Sequence, residues 1–165
     1  MRIRGRAWRL GDHITTDHII PGRLKYKVRT LEEMRQYVFN DLIPGFSERV
    51  RPNDVIVAGR NFGYGSSREH AARLLKLVGV GAVVAESFAR IFYRNAINVG
   101  LPLVEARVEA EDGDEMEVDL REGTVRNLSK GTEESFKPFP PMIMSLLEEG
   151  GIESYYKRHG KLPWE

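Results

Sequence analysis

Two apolar runs, "DVIVAG" at residues 54–59 and "GAVVAES" at 81–87, constrain this chain more than any other feature. Neither alternates with polar residues, and both are too short for a helix. Each therefore predicts a strand buried on both faces. Between them "SREHAARLLKLVG" has the apolar spacing of a helix that ends at Gly79, and after them "FARIFYRNAINVG" predicts a second helix that ends at Gly100. A strand, helix, strand, helix order calls for a parallel strand pair joined by a right-handed crossover.

The flanks have a different grain. "IRGRAWRL" at the start alternates weakly and predicts a first strand, and "GDHITTDHIIPG" at 11–22 is bounded by turn residues and predicts a polar loop. "TLEEMRQYVF" at 30–39 predicts a short amphipathic helix, with Thr30 as its cap and Glu33 three residues on. From "LPLVEA" onward come short strands, "DEMEVDL", "GTVRNL" and "ESFKPF", and then two helices over "MIMSLLEEGG" and "IESYYKRHG". No repeat or linker interrupts this order. The expectation is one α/β domain over residues 1–165 with a mixed sheet, a length that suits a single core.

Composition narrows the chemistry. A net charge of +1 gives no global pull toward nucleic acid or anionic lipid, so neither is expected as a partner. The basic start "MRIRGRAWRL" has no apolar core of a signal peptide, and no run is long enough to span a bilayer. A cytoplasmic location is expected. The chain has no cysteine, which excludes thiolate ligation of zinc or of an iron–sulfur cluster by its own residues. Its four histidines lack metal-binding spacing, so no metal ligand and no cofactor ligand is assigned.

The stretch "GRNFGYGSSREHA" at 59–71 concentrates the polar chemistry. A dinucleotide site is one reading, since strand, glycine turn, helix and a second strand ending at Glu86 are all present. Arg68 stands against it, because it occupies the place where a small residue must let helix and strand approach. A serine nucleophile would need G-x-S-x-G, and the order here is "GYGSSRE". A capping serine accounts for only part of the stretch. Paired hydroxyls, a guanidinium and fresh helix amides together make a site for a carboxylate or phosphate.

In order along the chain, "GDHITTDHIIPG", "VRPNDVIVAGRNFGYGSSREHAA", "VVAESFARIFYRNAINVGLPLV" and "YYKRHGKLP" resemble the swivelling domain of the aconitase superfamily. The form resembled is the separate small subunit of isopropylmalate dehydratases and homoaconitases. That resemblance implies a β/β/α swivelling domain, a mixed sheet flanked by helices. It implies a hydro-lyase that moves a hydroxyl between neighbouring carbons of a small di- or tricarboxylate by dehydration and rehydration. It also implies a [4Fe-4S] cluster held by a partner large subunit, and it leaves room for self-association. Position by position, Ser66 matches the base that removes a proton beside a substrate carboxylate, and Ser67 and Arg68 match carboxylate ligands. Thr16 and Asp17 match further active-site positions, Thr16 on the substrate and Asp17 in proton handling. His18, His70 and Asn61 are expected to orient loops or meet the partner.

Residues 23–30, "RLKYKVRT", follow this block with cations at alternate positions. In the resembling enzymes this segment covers the active site and reads the substrate's variable arm. Arg29 suits a further carboxylate, as in homoaconitate, whereas Val28 suits an isopropyl arm. Isopropylmalate is the expected substrate, with homoaconitate, or both, as the alternative.

Overall fold

The computed structural model of the chain describes residues 1–28, 30–65 and 70–165, apart from the side chains of Lys25 and Tyr26. The two apolar runs are strands β2 (Val55–Val57) and β3 (Ala82–Ala85), with every residue buried. They lie beside β1 (Arg2–Arg9) and β4 (Leu103–Glu105), and all three contacts in this half are parallel. Strands β5 (Glu115–Asp119), β6 (Thr124–Asn127) and β7 (Thr132–Ser135) pair antiparallel in sequence order. Among the described residues these seven strands form one mixed sheet in the order β4-β3-β2-β1-β5-β6-β7.

Strand β1 joins the two halves. Its first residues pair antiparallel with β5, from Arg2 against Asp119 to Arg6 against Glu115, and its last, Ala7 to Arg9, pair parallel with Val55 to Val57. The period of two then sorts the parallel strands onto two faces. Ile56 and Val83 point into one core with the helices α4 (His70–Leu77) and α5 (Arg90–Val99). Val55, Val57, Ala82 and Val84 point into another, with Met116, Val118, Val125 and Leu147. That is why "VIV" and "AVVA" are apolar throughout.

Asp54 fixes the junction of β1 and β2. It is 2% exposed, and its carboxylate accepts the Arg6 N–H (3.1 Å), the Trp8 indole N–H (2.9 Å) and the Arg51 N–H (2.9 Å). On the far side, Lys76 near the end of α4 donates to the carbonyls of Val99 and Gly150, each at 2.7 Å. Those carbonyls close α5 and α6 (Pro141–Glu149), so one ammonium serves the negative ends of two helices. Helix α7 (Ile152–His159) follows directly and packs on α5.

Three elements differ from the sequence expectation. Residues 11–22 hold a one-turn helix, α1 (Thr16–Ile19), capped by the Thr15 side chain on the His18 N–H, while the His18 ring accepts the Thr15 N–H at 2.9 Å. The expected helix over 30–39 is divided into α2 (Leu31–Met34) and a 3-10 turn over Arg35–Tyr37. Phe39 takes a φ of 56° and gives its N–H to the Ile19 carbonyl, because burying Val38 and Phe39 outweighs one more helical turn. The cap itself is as expected, with Thr30 accepting the Glu33 N–H at 3.1 Å. The last strand stops at Ser135, since Pro138 and Pro140 bring no N–H to a ladder. A short helix, α3 (Phe46–Arg49), precedes β2.

Replacing the Asp54 carboxylate would leave three donors without their acceptor at the sheet junction. Asp54→Ala is expected to lower the free energy of unfolding by about 3 kcal/mol, measured by urea denaturation.

Candidate functional site

Past the end of β1 and β2 the two chains do not separate. Leu10 donates to Val57 (2.9 Å), Gly59 to Gly11 (3.1 Å), His13 to Arg60 (2.7 Å), Gly63 to Ile14 (2.6 Å) and Thr16 to Tyr64 (2.9 Å). A third exit, from β3, lies along the other side: Glu86 donates to the Gly59 carbonyl (3.0 Å), Phe62 to that of Ser87 (3.0 Å) and Ala89 to that of Phe62 (3.0 Å). The site is thus at the carboxyl ends of parallel strands, where open α/β sheets place ligands.

Several groups hold this geometry. Phe62 is fully buried and meets Phe88 and Phe92 edge-on, with ring centroids 5.9 and 5.5 Å away. A Cβ on Gly63, which has a φ of 86°, would run into the Phe92 ring. His13 and Asn61 both have left-handed backbones, with φ of 56° and 57°, and their side chains meet at 3.4 Å. The Asn61 N–H goes to the Ser87 hydroxyl at 2.8 Å, as suits a residue that orders the loop. Asp12 accepts the Arg60 N–H at 2.7 Å. That bond, with the Arg60 guanidinium beside it, holds the Asp12 carboxyl below the usual carboxylate range.

The pairing carries the "TTDH" block to the last described residue before the serines. Thr16 is buried, and its Oγ1 lies where a Cβ on Gly65 would come within 2.9 Å. Asp17 is exposed at the first turn of α1, where its Oδ1 accepts the Gly22 N–H at 2.8 Å. It therefore closes the turn into the following 3-10 helix (Gly22–Tyr26). Val28 is 7% exposed and gives its N–H to Leu24, itself buried. His70 is exposed at the start of the described part of α4. Ser66, Ser67, Arg68 and Arg29 lie outside the described residues.

Sequence reasoning passed over Asp12, His13 and Asp54. A signal existed for two of them. Asparagine, aspartate and histidine are the non-glycine residues most at ease with a left-handed backbone, which marks position 13. An aspartate directly before a fully apolar run, as at Asp54, marks a buried acceptor.

No cysteine is present, and among the described residues no three His, Asp or Glu side chains gather as a metal set. An iron–sulfur cluster is bound through thiolates, so the residues of this chain do not fit one. Among the described residues no helix is long and apolar enough to cross a membrane.

The aconitase C-terminal domain family matches this chain over residues 16–107. The chain is 52% identical over 163 residues to 3-isopropylmalate dehydratase small subunit 1 of Thermotoga maritima, covering 98% of both. It is 54% identical over 154 residues to the methanogen homoaconitase small subunit of Methanothermobacter thermautotrophicus, covering 93% of this chain and 90% of that one. The crystal structure of 3-isopropylmalate dehydratase from Methanocaldococcus jannaschii superposes with a TM-score of 0.89 at 40% identity, covering 97% of this chain and 96% of that one.

Two outcomes follow from the geometry. Gly65 has a φ of 121° and no room beside Thr16, so Gly65→Ala is expected to shift the Thr16 amide resonance and to cost about 1–2 kcal/mol in chemical denaturation. A carboxyl depressed in the folded chain stabilises it fully above the unfolded value of about 3.9 and loses that contribution as pH falls through the folded value. Asp12→Asn is therefore expected to flatten the fall in melting temperature below about pH 4.

Proposed function

The chain belongs to the aconitase C-terminal domain family, and from that premise we propose that it is the small subunit of a two-subunit hydro-lyase, 3-isopropylmalate dehydratase. The reaction is the interchange of 2-isopropylmalate and 3-isopropylmalate by dehydration and rehydration, a step of leucine biosynthesis. The observation that carries the reading is the backbone pairing that brings Thr16 to Tyr64 and Gly65, so that the two sequence blocks richest in polar groups share one place. Identity over nearly the whole length to chains named as small subunits supports the division into two subunits.

In this reading all 165 residues form one domain that supplies half of an active site. Ser66 removes the proton on the carbon beside a substrate carboxylate. A serine has an ordinary pKa far too high for that work, so its alkoxide must be stabilised by neighbouring cations and amides. Arg68 suits that task and, with Ser67, grips the carboxylate in two-point fashion. Thr16, beside Gly65, contacts the substrate, and Asp17 handles a proton. The [4Fe-4S] cluster belongs to the large subunit, whose cysteines replace those this chain lacks, and no step of its chemistry is assigned to residues here.

The substrate arm is read by the segment that contains Val28 and Arg29. A second reading, homoaconitase, is favoured by Arg29 and by the 54% identity to the methanogen homoaconitase small subunit. Val28 itself is buried.

Mixing the purified chain with a cluster-loaded large subunit is expected to generate dehydratase activity that neither component has alone. Ser66→Ala is expected to cut kcat by about 10²–10⁴-fold while gel filtration still shows the complex. Turnover by the isolated chain, or by the Ser66→Ala complex at full rate, would refute the assignment. Competition between isopropylmalate and homocitrate on the same complex separates the two substrate readings, and Arg29→Val is expected to shift the preference toward isopropylmalate.

A further inference from the structure

Lys76 has more hydrogen-bonding capacity than the chain uses. A lysine ammonium carries three N–H donors, and two of these go to the carbonyls of Val99 and Gly150 at 2.7 Å. The third has no acceptor among the described residues. Two short bonds to the ends of packed helices fix the head group before any ligand arrives, so little ordering would remain to be done on binding. Burial, with the Arg73 guanidinium as a smaller cause, holds the ammonium below the usual lysine range. An anion beside it would relieve both.

Lys76 borders a cleft of about 700 Å³ between α2, α4, the end of α5 and the start of α7. That is the size of a small-molecule site, and its lining has the usual form, apolar walls with a few placed polar groups. Leu31, Leu77, Val99 and Ile152 supply the walls. Leu77 is 38% exposed there, whereas Leu74 and Leu75 on the same helix are fully buried.

The charges around the cleft are not equivalent. Glu153 faces Arg73 at 3.8 Å, and Glu32 accepts from Arg35 at 3.2 Å. Of the two cations in the lining, Lys76 is therefore the one with no acid partner among the described residues. A head group with two negative charges, such as a phosphate monoester, would also have to approach the exposed Glu32 and Glu153. A single carboxylate reaches the open donor with less repulsion.

We propose that this cleft binds a small molecule made of a compact apolar body and one carboxylate, with the body against Leu31 and Leu77 and a carboxylate oxygen on the third N–H of Lys76. Such a ligand would join α2 to α4 and α7. The site does not depend on the function proposed above, and none of its residues is assigned to the reaction.

Phenylacetate is a suitable probe, with phenylacetamide as its uncharged match. Added to the full chain, phenylacetate is expected to shift the amide resonances of Leu31, Leu77 and Ile152 saturably and to raise the melting temperature. Phenylacetamide is expected to bind at least about tenfold more weakly. Leu77→Asp changes an exposed side chain and puts a like charge at the cleft, so it is expected to weaken phenylacetate by at least about tenfold while the rest of the spectrum stays in place. Lys76→Met keeps the apolar stem, removes the donors and is expected to abolish binding; should that variant not fold, Leu77→Asp decides alone. Absence of a saturable shift would overturn the assignment, as would an amide that binds as tightly as the acid or a Leu77→Asp chain with unchanged affinity.

Discussion

Everything at the site depends on the pairing of β1 with β2 continuing past the ends of both strands. The parallel ladder begins at Ala7 and Val55 and passes without a break in its logic into the irregular chain as far as Thr16 and Tyr64. Loops that diverge from a sheet edge must be ordered by side chains alone. These are ordered by main-chain hydrogen bonds, each of which removes two polar groups from the account of buried, unpaired ones. The cost is borne at the junction, where Asp54 gathers the Arg6, Trp8 and Arg51 donors that the ladder leaves over. Sheet, junction and site are in this sense one hydrogen-bonded object.

The scaffold is held from more than one side. The third chain exit, at Ser87 and Ala89, presses on the same stretch from the other side, and the rings of Phe62, Phe88 and Phe92 fill the space beneath it. The glycine-rich segment is clamped on both edges and floored by aromatics. Its described residues, as far as Gly65, are thereby held on a firm base.

The parallel half was legible because burial on both faces leaves a sequence signal that no exposed element imitates. "VIV" and "AVVA" sit where uniform apolarity put them, and Gly100 ends α5 in the left-handed conformation expected of a helix-terminating glycine. The two polar blocks stand out in the sequence. Their mutual placement does not, since the contact between Thr16 and Gly65 spans nearly fifty residues and is written in backbone bonds rather than in residue type. The one-turn helix at Thr16 escaped for a related reason: its cap uses a histidine ring where a glutamate or glutamine usually stands. The helix at 30–39 was overdrawn because propensity is a local quantity, whereas the turn at Phe39 answers to a distant carbonyl and a core. "ESFKPF" misled through its aromatics, which fill a core from outside the ladder.

The facing left-handed residues have a consequence for how this region can vary. His13 and Asn61 bend two hydrogen-bonded chains at the same level, so neither bend can relax while the other persists. Each position is confined to the few residue types that tolerate such a backbone, and the confinement is shared. A pair of positions can thus be nearly immutable for reasons of backbone shape alone. Restricted variation at His13 or Asn61 follows from the backbone shape the two share, and it carries no information about the chemistry of either side chain.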